Sequence, residues 1–287
     1  MVKISDRVFF IKGEFNGKFP YCNVLIVDDV LIDSGAGQRI IEGLLDRVTT
    51  LILTHLHPDH ASGAWMFNLA RKRVLSPAGF KTDLDSISLR FMTRKLSEVW
   101  KKVIAESIGM KSFKSEKYNE GIITQKPVEI EAIHAPGHTK DHHVFLIDQK
   151  IMYGADIDLT EFGPFYGNPE GDISEFEKSI KRILTYDIEI FVSSHFDPIF
   201  GKDEIERRIT NYLSFFKKRE EKLIDLLSEK PRTLQELVKL SPIYGGRKKF
   251  AKEILDFFEE NMIQKHLDRL VKEGNVKRAG NLFKLIS

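Results

Sequence analysis

Leu51-Ile52-Leu53-Thr54-His55-Leu56-His57-Pro58-Asp59-His60 is the stretch on which the reading of this chain turns. Residues 51–54 form a short apolar run of buried-strand character. Directly after it, four side chains able to bind metal fall within six positions, spaced His-x-His-x-Asp-His. Two His one residue apart on extended backbone point to the same side, while Asp59 and His60, at the following turn, face a second point a few ångströms away. One segment can thus serve two metal ions. A helix over residues 61–72 should follow.

A bound catalytic dication takes about three protein ligands and keeps a position open for water, so the remaining donors must come from elsewhere in the chain. Three segments qualify: Pro136-Gly137-His138-Thr139, Tyr153-Gly154-Ala155-Asp156 and Ser193-Ser194-His195. Each follows a strand-like run, at residues 128–132, 151–153 and 188–192. Further strands are expected at residues 8–11, 22–27, 30–33 and 144–148. Leu84, Ile87, Phe91, Leu96, Trp100 and Ile104 recur at helical spacing between them. Strands, then helices, then strands, then a helix imply an α+β chain of two packed sheets with helices outside.

Of the 287 residues, 42% are hydrophobic and 30% charged, the balance of a soluble globular chain. No apolar run approaches the roughly 18 residues needed to span a bilayer, and no basic-then-apolar leader opens the chain. No membrane association and a cytoplasmic location are therefore expected. The single cysteine, Cys22, excludes a thiolate cluster, so metal must be held by His and carboxylate.

Residues 1–205 carry 25 Lys and Arg against 30 Asp and Glu, whereas residues 206–287 carry 19 against 12. This asymmetry suggests two domains divided there. In the tail, a helical pattern covers residues 202–229, Thr233-Leu234-Gln235-Glu236 fits a capping box, and a helical stretch follows at 250–274. Residues 275–278 and 282–286 then pair as a hairpin. Helices closed by a small hairpin form a winged-helix-like module. Its candidate base-reading side chains are Gln264 and Arg269, a thin set, so packing or dimer formation is the expected role. Arg247-Lys248-Lys249 is the candidate contact for a polyanion, with a solvated surface run as the plain alternative.

The His-x-His-x-Asp-His, Gly-His, strand-end Asp and final His segments, in this order, resemble the metallo-β-lactamase superfamily over roughly residues 1–200. The resemblance implies an αββα sandwich followed by the small winged-helix-like domain. It implies a first metal held by His55, His57 and His138, a second by Asp59, His60 and His195, and Asp156 bridging both. Zinc is the expected ion at both positions, although His and Asp ligands also suit iron and manganese. A hydroxide shared by the two ions would be the nucleophile, with Asp59 or a nearby His as proton donor. Asp33 matches a position that orients a ligating imidazole, and His142 one that supports the His138 loop. Asp158 competes with Asp156 for the bridge. His134 and His143 read as strand residues, and His266 as a packing residue.

Cys22 lies too far upstream to be the cysteine ligand of zinc β-lactamases. His57 stands where flavin-linked diiron relatives carry Glu, and the interval from Asp156 to His195 leaves no room for the inserted domain of large RNA-processing relatives. Pro136-Gly137-His138-Thr139-Lys140-Asp141-His142 and His266-Leu267-Asp268-Arg269-Leu270-Val271-Lys272-Glu273-Gly274 resemble the β-lactamase-like endoribonuclease group. The function expected is a two-metal hydrolase acting on a small ester, thioester or lactone. The alternative is an endoribonuclease for single-stranded RNA guided by the basic tail. A metabolite sensor that binds DNA is a third reading, disfavoured because sensing needs no seven-ligand set. A homodimer is an open expectation.

Overall fold

The computed structural model describes residues 1–125, 127–246 and 251–286. Seven strands form the first sheet in chain order: β1 (Val2–Lys3), β2 (Val8–Ile11), β3 (Val24–Val27), β4 (Val30–Ile32), β5 (Thr50–Ile52), β6 (Arg73–Pro77) and β7 (Glu116–Tyr118). β1 to β4 form an antiparallel meander, after which β4 to β7 run parallel. The parallel strands need crossovers. These are supplied by α1 (Gln38–Leu44), by α2 (Pro58–Ala61) with α3 (Ala64–Leu69), and by α4 (Leu84–Phe91) with α5 (Arg94–Trp100). Of the helix expected over residues 61–72, only α3 at 64–69 forms, and the one-turn α2 ends where that helix was to begin. The two break at Gly63, whose amide leaves the helical pattern to bond Ser34 carbonyl at 3.1 Å.

The second sheet has the order β13-β12-β11-β10-β9-β8, from β8 (Gly121–Thr124), β9 (Ile130–His134), β10 (His143–Ile147), β11 (Ile151–Tyr153), β12 (Ile190–Val192) and β13 (Ile199–Phe200). Period-two alternation in its strands faces two cores, because both faces are covered. In β10, Phe145 and Ile147 point between the sheets while Val144 and Leu146 point outward under helices. The inner core joins Phe10, Leu25, Val27 and Ile52 of the first sheet to Phe145, Tyr153 and Val192 of the second. On the outside, Ile41, Phe67, Ile87, Phe91 and Trp100 cover the first sheet. Phe176 and Ile180 of α6 (Ile173–Ile183) cover the second. Four layers result, helices, sheet, sheet, helices, with the metal-capable segments at the strand ends.

α7 (Lys202–Glu229) runs unbroken through the expected boundary at 205/206. Ile205, Ile209, Tyr212 and Phe216 pack into the second sheet's outer core, whereas Leu223 and Leu227 belong to a separate tail core. The tail continues with β14 (Arg232–Thr233), α8 (Leu234–Leu240), α9 (Lys252–Lys272), β15 (Val276–Ala279) and β16 (Leu282–Leu285). Its three strands pair in the order β14-β16-β15. The capping box forms: Thr233 Oγ1 accepts from Glu236 N, and the Glu236 carboxylate accepts from Thr233 N. α9 also spans three environments, with Ile254 in the first sheet's outer core, Met262 in the second's and Leu267 in the tail's. Arg247, Lys248 and Lys249 lie outside the described residues. Among the described residues no helix is long and apolar enough to cross a membrane.

Candidate metal centre

Sheet pairing ends just before the motif. Leu53 N still donates to Leu75 carbonyl at 2.9 Å, but Thr54 N donates to Asp33 Oδ1 at 2.8 Å. The chain therefore leaves the sheet at Thr54 and presents His55 and His57 on extended backbone. Pro58 then opens α2, where its missing N–H costs nothing, and the short helix carries Asp59 and His60. Pro136-Gly137 turns His138 in after β9, Asp156 follows β11, and His195 follows β12.

These segments converge into two groups of donor atoms. His55, His57, His138 and Asp156 form one, Asp59, His60, His195 and Asp156 the other, and within each the donors lie within 4.8 Å of one another. Asp156 divides its oxygens between them. Oδ2 lies 2.9 Å from His138 Nε2 and 3.7 Å from His55 Nε2, whereas Oδ1 lies 2.9 Å from His60 Nε2 and 3.5 Å from His195 Nε2. Asp59 Oδ2 sits 3.4 Å from His195 Nε2. His55 Nε2, His60 Nε2 and Asp156 Oδ1 are buried and lack an aligned hydrogen bond. Buried polar atoms without partners are costly. A pair of cations bound among them would satisfy these atoms, so the donor set fits metal.

The outward nitrogen of each imidazole in the two donor groups is held. His60 Nδ1 donates to Asp33 Oδ2 at 2.8 Å, His138 Nδ1 to Phe165 carbonyl at 2.8 Å, and His195 Nδ1 to Gly17 carbonyl at 2.7 Å. His55 Nδ1 lies 3.0 Å from Thr54 Oγ1, whose hydroxyl donates on to Asp33. Such contacts fix the tautomer and aim Nε2 inward. His57 is reversed, with Nδ1 facing the cluster and Nε2 lying 2.8 Å from the Asn168 amide nitrogen.

Residues 18–75 match the family model described as the metallo-beta-lactamase superfamily. The matched stretch contains the whole segment from His55 to His60. Beta-lactamase-like protein 2 homolog of Drosophila melanogaster is 23% identical, over 80% of this chain and 70% of its own. An atrochrysone carboxyl ACP thioesterase of Pseudocercospora fijiensis is also 23% identical, over 97% of this chain and 79% of its own. A metallo-beta-lactamase family protein from Thermus thermophilus has a similar structure, with a TM-score of 0.73 at 18% identity over 99% of this chain and 100% of that one. A beta-lactamase domain protein from Burkholderia ambifaria reaches 0.74 at 17% identity, over 99% and 93%. At these identities the solved structures speak for the fold alone. The chain thus shares the fold of these proteins, and its His/Asp cluster is able to bind metal ions.

Electrostatics in the cluster follow from burial and the shared carboxylates. Burial holds the His55 imidazole well below its ordinary pKa, with His60 and His57 pushing the same way, and it lowers His57 too. At His60 and His195 burial also disfavours the charged ring, but neighbouring carboxylates outweigh it and raise both well above the usual range. A cation would take the place of those protons. Burial raises the Asp59 carboxyl, and His60 and His195 more than reverse this, keeping it ionised. That is the ligating form rather than the proton-donating one.

The other named residues have different partners. His142 Nδ1 donates to Ala135 carbonyl at 2.9 Å, and its Nε2 accepts from the Asp156 amide at 3.1 Å, so it props the residue shared by both donor groups as well as its own loop. Asp158 accepts from Thr160 and joins neither donor group. His143 Nδ1 donates to Asp141 carbonyl, and His134 Nε2 lies 2.8 Å from Lys140 carbonyl. Cys22 is buried outside both groups.

Sequence reasoning missed Asn168 and the backbone carbonyls of Gly17 and Phe165. It also missed Arg90, which pairs with Asp141 through both terminal guanidinium nitrogens at 2.7 and 3.0 Å and reaches Glu170. Asp141 in turn accepts from Leu56 N at 3.0 Å, fixing the peptide between His55 and His57. The Asp141 carboxyl inside the motif was the available signal. It is fully buried and calls for a cation.

Proposed function

We propose that this protein is a two-metal hydrolase of small carboxylic esters or thioesters. The observation carrying the reading is the division of Asp156 between two donor groups, each otherwise built from three neutral or anionic side chains. His55, His57 and His138 would hold one ion, Asp59, His60 and His195 the other, with zinc as the expected metal and iron or manganese suited to the same donors. Bound there, such ions supply Lewis acidity and lower the pKa of water to near neutrality.

The chain's own part is orientation. Asp33, Phe165 carbonyl and Gly17 carbonyl keep the rings aimed before substrate arrives, so little reorganisation accompanies the reaction. Buried Phe91 of α4 packs against the His57 ring from the core, with centroids 4.4 Å apart. The turn whose Gly17 holds His195 also carries exposed Phe15, stacked on Tyr21 at 5.7 Å. The fungal relatives named as thioesterases, aligned over 97% and 96% of this chain, support the thioester class.

Metal analysis joined to a hydrolysis panel tests this: p-nitrophenyl acetate, an acyl-pantetheine thioester, bis-p-nitrophenyl phosphate and single-stranded RNA. Two metal ions per chain are expected, with ester and thioester turnover abolished in Asp156→Asn. RNA cleavage without acyl turnover would replace this reading with the endoribonuclease one. A metal-free protein with full activity would end it.

A further inference from the structure

Between β11 and α6, residues 162–170 run without regular structure beneath α7 and α9 as a strap. Two of its residues touch metal-binding imidazoles: Phe165 carbonyl accepts from His138 Nδ1, and the Asn168 amide lies against His57 Nε2. The outer side of the strap is bonded to the tail helices. Lys265 Nζ donates to the carbonyls of Tyr166 at 2.9 Å and Asn168 at 2.5 Å, and Asn261 Nδ2 donates to Gly167 carbonyl at 2.8 Å, all from α9. From α7, buried Arg219 donates to the carbonyls of Phe162 and Pro164 and to the Tyr166 hydroxyl.

Contact is too close for side chains at two strap positions. A Cβ on Gly167 would lie 2.8 Å from Phe258 Cβ of α9, and one on Gly163 would lie 2.6 Å from the Phe215 ring of α7. The strap is therefore clamped between the tail helices and the first donor group. Asn168 Oδ1 is also buried without a hydrogen bond. A cation at His57 Nδ1 would leave the ring proton on Nε2. Rotation of the Asn168 amide would then present that oxygen as its acceptor.

We infer that the tail is part of the metal centre: Lys265 and Asn168 are positioning residues that act through the strap on His57 and His138. The inference rests on the two-metal reading above. It makes α9 a structural determinant of one metal position and not the other. The second group is held from other elements, His60 by Asp33 and His195 by Gly17, and has no hydrogen bond to the strap among the described residues.

Zinc affinity, measured by chelator competition on the full chain, separates the two positions. His195→Ala leaves the His55/His57/His138 group, and His138→Ala leaves the Asp59/His60/His195 group. Lys265→Met and, independently, Asn168→Ala should each weaken zinc roughly 10- to 100-fold in the His195→Ala background, the range seen for residues that orient ligands. In the His138→Ala background the change should stay under about threefold, below that range. Equal losses in both backgrounds, or no loss in either, would overturn the inference. Asn168→Ala keeps the test valid if Lys265→Met does not fold. Fewer than two zinc ions bound by the unmutated protein would instead overturn the two-metal reading.

Discussion

The amide of Asp156 donates to Nε2 of His142 across 3.1 Å, so the residue whose carboxylate faces both donor groups is held from behind by a neutral imidazole. His142 can play this part because its Nδ1 proton is committed to Ala135 carbonyl, which leaves Nε2 as an acceptor. Burial, with His138 adding to it, pushes its pKa down to about 3 and keeps the ring neutral. His142→Ala should strand two buried backbone groups, at a cost of about 1–3 kcal/mol each. It should also reduce bound metal at both positions, read as metal per chain after dialysis.

Asp156 and its neighbours predict a graded stoichiometry. Asp156→Ala removes the shared carboxylate and should leave less than one ion per chain. His138→Ala and His195→Ala should each leave about one, because each group loses only one of its own donors. Metal analysis by atomic emission reads the series; identical losses for all three would contradict the division of donors.

Arg90 is the cation that buried Asp141 requires. The pair is bidentate, with side-chain exposures of 14% and 0%. Removing one partner leaves an uncompensated buried charge, which typically costs about 3–5 kcal/mol. Arg90→Met should therefore lower the urea midpoint of the metal-free protein by a corresponding amount. It should also loosen the Leu56 peptide, so zinc affinity falls at the His55/His57 end.

Burial, opposed by the bond to Asp141 carbonyl, pushes the pKa of His143 down to about 4 from an ordinary 6.5. A depressed histidine favours the folded state fully above the unfolded pKa, and that contribution fades as pH falls from about 6.5 through 4. Within this window the slope approaches about 1.4 kcal/mol per pH unit. Unfolding free energies of the unmutated chain and His143→Gln should diverge in pH dependence there and run parallel above about pH 7. Parallel curves throughout would show that His143 is not the neutral buried ring described.

His55, His57, Asp59 and His60 were legible because they fall together in one short segment, and backbone alternation alone decides which way neighbours point. His138, Asp156 and His195 were legible through strand-end positions within a recognised motif order. The strand pattern located β2 to β5 and β9 to β12 to within a residue or two, since apolar alternation reports burial directly, but it missed β6 and the short edge strands β1, β7, β8 and β13. The long helix over 202–229 was read from its sequence with the bounds it has in the structure, yet its division between two cores was not, because both halves carry the same apolar spacing.

Sequence by itself determined the donor types, their order and the strand ends that deliver them, since these depend on residue chemistry and local backbone geometry. Only the tertiary structure decided how the donors divide around Asp156 and which backbone carbonyls lock the rings. It alone showed that Lys265, about a hundred residues beyond Asn168, holds the strap against His57 and His138. Carbonyl acceptors are present at every residue and carry no signature. What selects Gly17, Phe165 and Asn168 is proximity across the fold, which the close packing of helices, strap and sheets sets.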